Sequence, residues 1–308
     1  MKLMSVSEAS KKSGIPERTL YLKLEQNLLK NYSDNKTLLN YSEVLNLKPI
    51  VIVLYNLKGG IGKTTISAIL SHYFGNIGKK VLACDLDPQQ NLSICYEKFD
   101  SSKKNVYNFM DKFSIVDNKK NLLDSVVQNV NENIDLIPSS IELVSKHDIH
   151  IEDSSGLKEI FYEIFARYQI VIIDCPPNFT GLSKLGILLS NYIIMPVIAE
   201  SFSYEGITLA LSKMDDIIKF NPDFLGYKVI LNRVKTRETS VKQLFEEKFR
   251  DRLKNKILHN SFPEFSLIDE VHATKENIFN IFKNKHQTEK IASVCKEIND
   301  YIYEATDE

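Results

Sequence analysis

A glycine-rich turn between an apolar run and a helical pattern constrains this chain more than any other feature. Residues 49–54 are proline, isoleucine, valine and leucine and predict a buried strand, whereas residues 66–74 predict a helix. Three glycines in Lys58–Thr65 let the backbone turn tightly and direct its N–H groups towards an anion. A strand, such a loop closed by Lys-Thr, and a helix together predict a phosphate-binding loop.

The loop carries the side chains that a nucleotide and its Mg²⁺ require. Lys63 is expected to reach the β- and γ-phosphates, and the Thr64 hydroxyl is expected to ligate Mg²⁺. A second lysine, Lys58, stands at the head of the loop, where the ordinary pattern requires none. The predicted nucleotide-binding residues are Lys58, Gly59, Gly60, Ile61, Gly62, Lys63, Thr64 and Thr65.

Two further apolar runs end in acidic motifs. Asp85-Leu-Asp87-Pro-Gln closes the run at 81–84, and Asp174-Cys-Pro-Pro closes the run at 170–173. Together with the two loop lysines, these motifs resemble in order and spacing those of the ParA/MinD ATPases, whose Walker motif is deviant. The resemblance covers roughly residues 50–300 and is greatest to ParA plasmid or chromosome partition ATPases.

The resemblance implies an ATPase with ATP or ADP and Mg²⁺ as cofactors, converting ATP and water slowly to ADP and phosphate. In that family the lysine at the position of Lys58 crosses to the partner's nucleotide in an ATP-bound homodimer. In the same family the aspartate at the position of Asp87 orients the attacking water. The resemblance thus implies catalytic roles for Lys58, Lys63 and Asp87, and a metal site formed by Thr64, Asp85 and Asp174.

Two residues match regions that surround the adenine in that family. Asn232 follows a predicted strand, and Pro263 lies in the sequence Asn-Ser-Phe-Pro. An asparagine at a strand end is also a common turn former, so both interpretations of Asn232 stay open.

The remainder of residues 49–308 alternates strand and helix patterns. Near-continuous apolar strands alternating with helices predict an α/β fold of the P-loop NTPase type, with a mostly parallel sheet covered by helices on both faces. The polar segment 98–130 predicts surface helices and loops. Strands are predicted near 50–55, 80–85, 134–138, 168–174, 192–197 and 227–232.

Residues 1–48 predict a separate small domain. A capping box at Ser5–Glu8 opens a helix that ends near Gly14, and a second helix runs from Ile15 to about Gln26. Residues 31–41 predict a hairpin, and residues 42–45 a closing turn. This order resembles a MerR-type winged helix-turn-helix; a dimerisation or docking module is the alternative. The candidate DNA contacts in the second helix are Arg18, Thr19 and Tyr21, although Tyr21 stands where that family commonly has an arginine.

The net charge of −1 means that any nucleic-acid contact must come from local basic patches. Residues 233–256 hold nine Lys or Arg against four Asp or Glu. The resemblance implies a DNA-contacting arginine at Arg237, and Lys242 and Arg250 in the same basic segment are further candidate DNA contacts. The arginine-rich element that many ParA proteins carry after Pro263 is replaced here by Glu-Phe-Ser-Leu-Ile-Asp.

Membrane and metal-cluster functions are disfavoured. The C-terminal helical stripe of Ile291, Val294, Ile298 and Ile302 ends in an acidic tip, which favours core packing over insertion into an anionic membrane. The four cysteines show no metal-ligand spacing, and Cys84 and Cys175, which lie in predicted core strands, are expected to be buried thiols in a reducing cytosol. We therefore expect a cytoplasmic, nucleoid-associated bacterial protein without a membrane partner.

These observations indicate a ParA-type DNA-partition ATPase. Its ATP-dependent homodimer would bind DNA non-specifically, and a ParB-like adaptor would stimulate hydrolysis. The N-terminal domain would recognise a specific operator and support autorepression. Two alternatives remain: a ParA-like ATPase that positions a protein cargo, and a nucleotide-gated transcriptional regulator.

Overall fold

The computed structural model describes residues 2–13, 17–25, 29–33, 36–40, 48–112, 125–146, 154–199, 203–234, 240–264, 276–281 and 285–304. The strands are β1 Leu3–Ser5, β2 Leu38–Asn40, β3 Ile50–Leu54, β4 Val81–Asp85, β5 Gln128–Asn129, β6 Ile134–Ile137, β7 Ile170–Asp174, β8 Tyr192–Val197 and β9 Gly226–Leu231. The α-helices are α1 Val6–Ser13, α2 Glu17–Glu25, α3 Lys63–Asn76, α4 Asn91–Ile94, α5 Val106–Lys112, α6 Ser154–Phe165, α7 Gly181–Leu189, α8 Ser203–Ile218, α9 Ser240–Leu253, α10 Ile278–Ile281 and α11 Lys285–Glu304. The 3₁₀ helices are Ile141–Lys146 and Lys254–Lys256.

The central sheet follows the order β5-β6-β4-β7-β3-β8-β9 within the described residues. Its pairings are parallel except for that of β5 with β6. All six predicted strands are present, so the prediction of a mostly parallel sheet is confirmed. Strand β5 was missed because two residues are too few to show an apolar alternation.

Each central strand contributes to two hydrophobic cores, one on each face of the sheet. In β3, Val51 and Val53 belong to one core, and Ile52 and Leu54 belong to the other. Successive side chains of a strand point to opposite faces, so burial of both faces explains the continuous apolar run. Helices α6, α7 and α8 contribute to the first core, and helices α3 and α11 to the second.

The C-terminal helix α11 packs on the sheet through its apolar stripe. Ile291, Val294, Ile298 and Ile302 are each fully buried in the second core. The prediction that this stripe packs in the core is confirmed. None of the helices in the described ranges combines the length and apolarity needed to cross a bilayer.

Helix α5 corrects the prediction that residues 98–130 form surface structure. Val106 and Phe109 are fully buried in the first core, and the Phe109 ring meets Phe161 edge-on with centroids 5.0 Å apart. The helix was predicted to lie on the surface because these few apolar residues stand among many polar ones. Residues 113–124 of this segment lie outside the described residues.

The described residues between positions 2 and 40 form an N-terminal module with two helices and a two-stranded sheet. The predicted capping box is present, since the Ser5 amide and hydroxyl both donate to Glu8 Oε2 at 3.0 Å. The Glu8 amide donates in return to Ser5 Oγ at 3.2 Å. The module has its own small core of Met4, Val6, Ala9, Leu20, Leu29 and Leu39.

The two strands of this module differ from the predicted hairpin. Strand β2 pairs antiparallel with β1, in the register Leu3 with Asn40. The Tyr32 amide donates to the Leu38 carbonyl at 3.0 Å, a contact that agrees with a hairpin over residues 31–41. The pairing of β2 with β1 was not predicted, because a pairing across 35 residues leaves no local sequence signal. The predicted closing turn at 42–45 lies outside the described residues.

All four cysteines are buried free thiols, which agrees with the prediction for Cys84 and Cys175. Burial raises the pKa of Cys84, Cys95, Cys175 and Cys295. The thiolate form, which is the reactive one, is therefore disfavoured in the folded chain.

Candidate nucleotide site

The glycine-rich loop lies at the carboxyl edge of the sheet, between β3 and α3. Gly60 and Gly62 have positive φ angles of 70° and 93°, which side chains with a Cβ rarely adopt. Gly62 is also the N-cap of α3. The first amides of this helix therefore lie at the end of the loop, where a helix terminus favours an anion.

Asn56 holds the beginning of this loop. Its side chain is buried, donates to the Pro196 carbonyl at 2.9 Å and accepts from the Lys58 amide at 3.2 Å. The loop is thereby tied to strand β8, which pairs with β3. Sequence reasoning assigned no role to Asn56; the only signal was a polar side chain directly after a buried strand.

The two loop lysines occupy different environments. Lys63 is 7% exposed, and its ammonium donates to the Lys58 carbonyl at 3.3 Å. Burial lowers the pKa of Lys63, while the charges of Asp174 and Asp87 oppose that shift. Lys58 is exposed. Lys63 thus belongs to the interior of the site and Lys58 to its rim.

The acidic motifs meet beside the loop as predicted. Strand β7 lies between β3 and β4, and Asp174 is in register with Leu54 on one side and Asp85 on the other. Asp174 accepts the Thr64 hydroxyl at 2.6 Å and the Ser67 hydroxyl at 3.1 Å. Sequence reasoning missed Ser67, which faces the same carboxylate one turn further along α3.

Burial shapes the ionisation of both strand-end carboxyls. It raises the pKa of Asp174 to about 6, against the lowering effect of the Thr64 hydrogen bond. Burial and then the charge of Asp174 raise the pKa of Asp85 to about 8. Such crowding of carboxylates favours a nearby cation, and a hydroxyl with carboxylates is a donor set that suits Mg²⁺. The residues present therefore fit the predicted metal.

The described hydrogen bonds of Asp85 go to Asp87 and Ser93 and not to Thr64. Its Oδ1 accepts from the Asp87 amide at 3.0 Å. Its Oδ2 accepts from the Ser93 amide at 2.8 Å and from the Ser93 hydroxyl at 2.7 Å. The predicted metal role of Asp85 stays a prediction, and its described contacts are those of a residue that shapes the following turn.

Asp87 lies in that turn, close to the loop. It is 7% exposed, and its charge lies close enough to Lys63 to oppose the lowering of the Lys63 pKa by burial. Its Oδ1 accepts from the Gln89 amide at 3.0 Å, and its carbonyl accepts from the Ser139 hydroxyl at 2.6 Å. A carboxylate held this way beside the phosphate loop can orient a water molecule.

Asn232 closes the other side of the loop. Its amide nitrogen Nδ2 donates to the Ile61 carbonyl at 2.8 Å, and a Cβ on Gly62 would lie 2.2 Å from this nitrogen. Gly62 is therefore required by this close approach as well as by its φ angle. Pro263 forms a parallel bridge with Val234, which stands two residues after Asn232 in the chain. The predicted adenine contacts of Asn232 and Pro263 stay predictions.

The predicted DNA contacts of the N-terminal module all lie on α2. Tyr21 is 47% exposed, which makes its ring available on the outer side of this helix. Arg18 and Thr19 lie on the preceding turn of the same helix, and their side chains are outside the described part of the structure.

Among the predicted DNA contacts of the basic segment, Arg250 is the one whose side chain belongs to the described part of the structure. Arg237 lies outside the described residues, and the side chain of Lys242 on α9 is not described. Arg250 donates to Glu246 Oε1 at 2.9 Å and to the Leu258 carbonyl at 3.0 Å. These contacts engage its guanidinium within the fold, so Arg250 anchors α9 to the segment beside β9.

Comparison with known proteins identifies the family. A family model described as an AAA domain matches residues 50–225. The sporulation initiation inhibitor protein Soj of Bacillus subtilis is 30% identical over 212 residues, covering 66% of this chain and 81% of Soj. A virulence plasmid ParA family protein of Chlamydia trachomatis is 28% identical over 258 residues, covering 82% of this chain and 94% of that protein.

A solved structure agrees with these relatives. A putative plasmid partition protein from Borrelia burgdorferi, bound to AMPPNP, superposes with a TM-score of 0.63 at 28% identity. The match covers 82% of this chain and 100% of the Borrelia chain. The loop lysines, the two acidic strand ends and these relatives lead to one conclusion: the chain belongs to the ParA/MinD family of P-loop ATPases.

Proposed function

We propose that this protein is a DNA-partition ATPase that binds ATP with Mg²⁺, dimerises in the ATP-bound state and binds DNA non-specifically as a dimer. The observation that carries the proposal is the contrast between the two loop lysines, with Lys63 buried in the site and Lys58 exposed at its rim. The relatives named as Soj and ParA proteins and the AMPPNP-bound Borrelia structure support it.

The residues of the site divide the chemistry among them. Lys63 and the loop amides hold the phosphates, and Thr64 and Asp174 hold the metal, directly or through water. When bound, Mg²⁺ supplies positive charge to the phosphate oxygens. Asp87 orients the attacking water, and its described hydrogen bonds keep it at one side of the loop. These roles require no movement of the buried lysine.

Lys58 acts on the partner's nucleotide in this proposal. A lysine exposed at the rim can place its charge outside its own loop, where charge developing on a transferred phosphoryl group would be stabilised, as by an arginine finger. Hydrolysis therefore depends on the dimer. A ParB-like adaptor stimulates hydrolysis, and the protein associates with the nucleoid through its DNA contacts.

Lys58→Ala tests this division. The variant should bind a fluorescent ATP analogue with an affinity within about threefold of wild type, because the Lys63 site is intact. It should fail to dimerise with ATP in light scattering and should lose turnover. Lys219→Ala is the matched control, since Lys219 is an exposed lysine, 60% accessible in its side chain, at the end of α8. ATP-dependent dimers of Lys58→Ala would contradict the trans-acting role.

The N-terminal module is proposed to be a winged helix-turn-helix that recognises one specific operator and supports autorepression. Its capped α1, its α2 with exposed Tyr21 and its β1–β2 sheet support this reading. Recognition of base edges in the major groove would come from α2, through Arg18, Thr19 and Tyr21. The basic segment around Arg237 and Lys242 would instead contact phosphates.

Two full-length variants separate the two DNA surfaces. Arg237→Glu should weaken binding to random and upstream DNA alike and flatten the salt dependence, because it removes a phosphate contact. Tyr21→Ala should weaken binding to the operator while leaving random-DNA binding unchanged. The measurement is a salt-titrated binding assay with ADP and with ATP. Operator binding without any random-DNA binding would favour a transcriptional regulator, and no binding to either DNA would favour a protein-cargo ATPase.

A further inference from the structure

A closed ring of hydrogen bonds joins four residues beside the candidate nucleotide site. The Ser139 amide donates to the Ser93 hydroxyl oxygen at 3.0 Å, and the Ser93 hydroxyl donates to Asp85 Oδ2 at 2.7 Å. Asp85 Oδ1 accepts from the Asp87 amide at 3.0 Å. The Ser139 hydroxyl then closes the ring by donating to the Asp87 carbonyl at 2.6 Å.

We infer that Ser93 and Ser139 are positioning residues that fix the Asp87 carboxylate for the attacking water. This inference rests on the proposed ATPase function and deepens it. Neither serine is assigned a contact with nucleotide or metal. Both act through the backbone of Asp87, whose amide and carbonyl are each held by one side of the ring.

Each member of the ring has its donor and acceptor roles fixed. The Ser93 oxygen accepts from the Ser139 amide, so its own proton is directed to Asp85. Ser139 uses both its amide and its hydroxyl as donors. Ser93 is fully buried and Ser139 is 2% exposed, so water cannot readily replace a lost partner. One backbone conformation of the turn at Asp87 is therefore favoured.

The residues on both sides of Ser139 are fixed by backbone hydrogen bonds. Ser139 follows strand β6, which pairs with β4, so the ring connects neighbouring strand ends across the sheet edge. The preceding Pro138 carbonyl accepts from the Val106 amide at 2.9 Å, and the following Ser140 carbonyl accepts from the Leu143 amide at 3.1 Å. Because the backbone around Ser139 is anchored on both sides, the Ser139 hydroxyl can fix the Asp87 carbonyl instead of moving with it.

Ser139→Ala and Ser93→Ala test the inference, with Ser190→Ala as a matched control. Ser190 is also a fully buried serine whose hydroxyl donates to a carbonyl, that of Ile187, at 2.7 Å. It lies at the opposite edge of the sheet, before the start of β8. Ser139→Ala removes one ring bond and Ser93→Ala removes two, and each variant should lower turnover about tenfold or more. The dissociation constant of a non-hydrolysable ATP analogue should stay within about twofold of wild type, because the loop contacts are intact.

Hydrogen exchange of the nucleotide-free protein gives a second readout that does not depend on activity. Ser139→Ala should accelerate exchange of the Asp87 amide, which lies in a different segment. Ser93→Ala should accelerate exchange of the Ser139 amide, because that amide loses its acceptor. Ser190→Ala should change neither amide.

Two results would overturn the inference. One is turnover and exchange in Ser139→Ala that match Ser190→Ala. The other is a loss of analogue binding that equals the loss of turnover, since that would indicate general damage to the site. If the wild-type protein itself lacked ATP turnover, the proposed function would fail, and the exchange of the Asp87 and Ser139 amides alone would decide whether the ring exists.

Discussion

The nucleotide edge of the sheet and the N-terminal module are built in opposite ways. At the nucleotide edge, three adjacent parallel strands buried on both faces bring Asp85 and Asp174 into register beside the loop. The module has two three-residue strands and the six-residue core described above. Its α2 also contacts the ATPase region, where buried Lys23 donates to the Arg167 carbonyl at 3.5 Å.

The two regions therefore differ in what stabilises them. The nucleotide edge depends on a large core, so its geometry is insensitive to any one surface contact. The module depends on a few apolar side chains and on a helix cap, each of which is a sizeable fraction of its stability. Changes at the nucleotide edge should therefore alter chemistry without unfolding, and changes in the module should alter folding without touching the chemistry.

Asp87→Ala should have the largest effect, on chemistry alone. Removal of a water-orienting carboxylate should lower turnover about 1,000-fold while nucleotide affinity is kept. Light scattering should show a persistent ATP-bound dimer. Hydrogen exchange of residues 3–40 should match wild type. Wild-type turnover would mean that Asp87 is only a turn residue.

Lys63→Ala should follow in size and should weaken nucleotide binding severely. The variant loses the cation inside the loop, and a charge-assisted hydrogen bond to phosphate should cost about 100-fold in affinity. Titration with a fluorescent ATP analogue measures this loss, and thermal unfolding without nucleotide provides the control for folding. An unchanged dissociation constant would contradict the assignment of the loop.

Leu20→Ala tests whether the N-terminal module can be destabilised without any effect on nucleotide binding. Leu20 is fully buried in the small core, so its truncation should destabilise the module by about 2 kcal/mol. Amides of residues 3–40 should exchange faster, whereas ATP affinity should be unchanged. Its neighbour Tyr21 is 47% exposed, and Tyr21→Ala is the control that should leave exchange intact. A loss of ATP binding in Leu20→Ala would show that the two regions are not independent.

Ser5→Ala should have the smallest of these effects. It removes the hydroxyl that accepts from the Glu8 amide and should cost the module about 1 kcal/mol. The same exchange experiment detects it as a smaller acceleration, concentrated in α1. An effect as large as that of Leu20→Ala would indicate that the cap, and not the core, determines the stability of the module.

Local and repeated signals could be predicted from the sequence. The apolar strands, the capping box and the polar residues at strand ends are each visible within a few residues, and all of them are present. Parallel strands place such ends at one edge, where Thr64 and Asp174 meet. The grouping of Thr64, Asp85 and Asp174 as a metal site was implied by the family resemblance and stays a prediction.

Contacts between distant segments could not be predicted in this way. The pairing of β1 with β2, the contact of Asn232 with Ile61 and the ring through Ser93 and Ser139 each join positions far apart in the chain. Serine and asparagine are common in loops for many reasons, so their identity alone indicates no partner. A prediction of these contacts requires the register of the sheet to be known first.

The burial of the four cysteines has a practical consequence for measurement. Because every native thiol is buried, maleimide reagents should modify the folded chain slowly. A cysteine introduced at an exposed position such as Lys103, 62% accessible in its side chain, would react first and could carry a fluorophore. The native thiols would then report global opening through their labelling rates, so one sample could follow dimer assembly and unfolding without removal of any native cysteine.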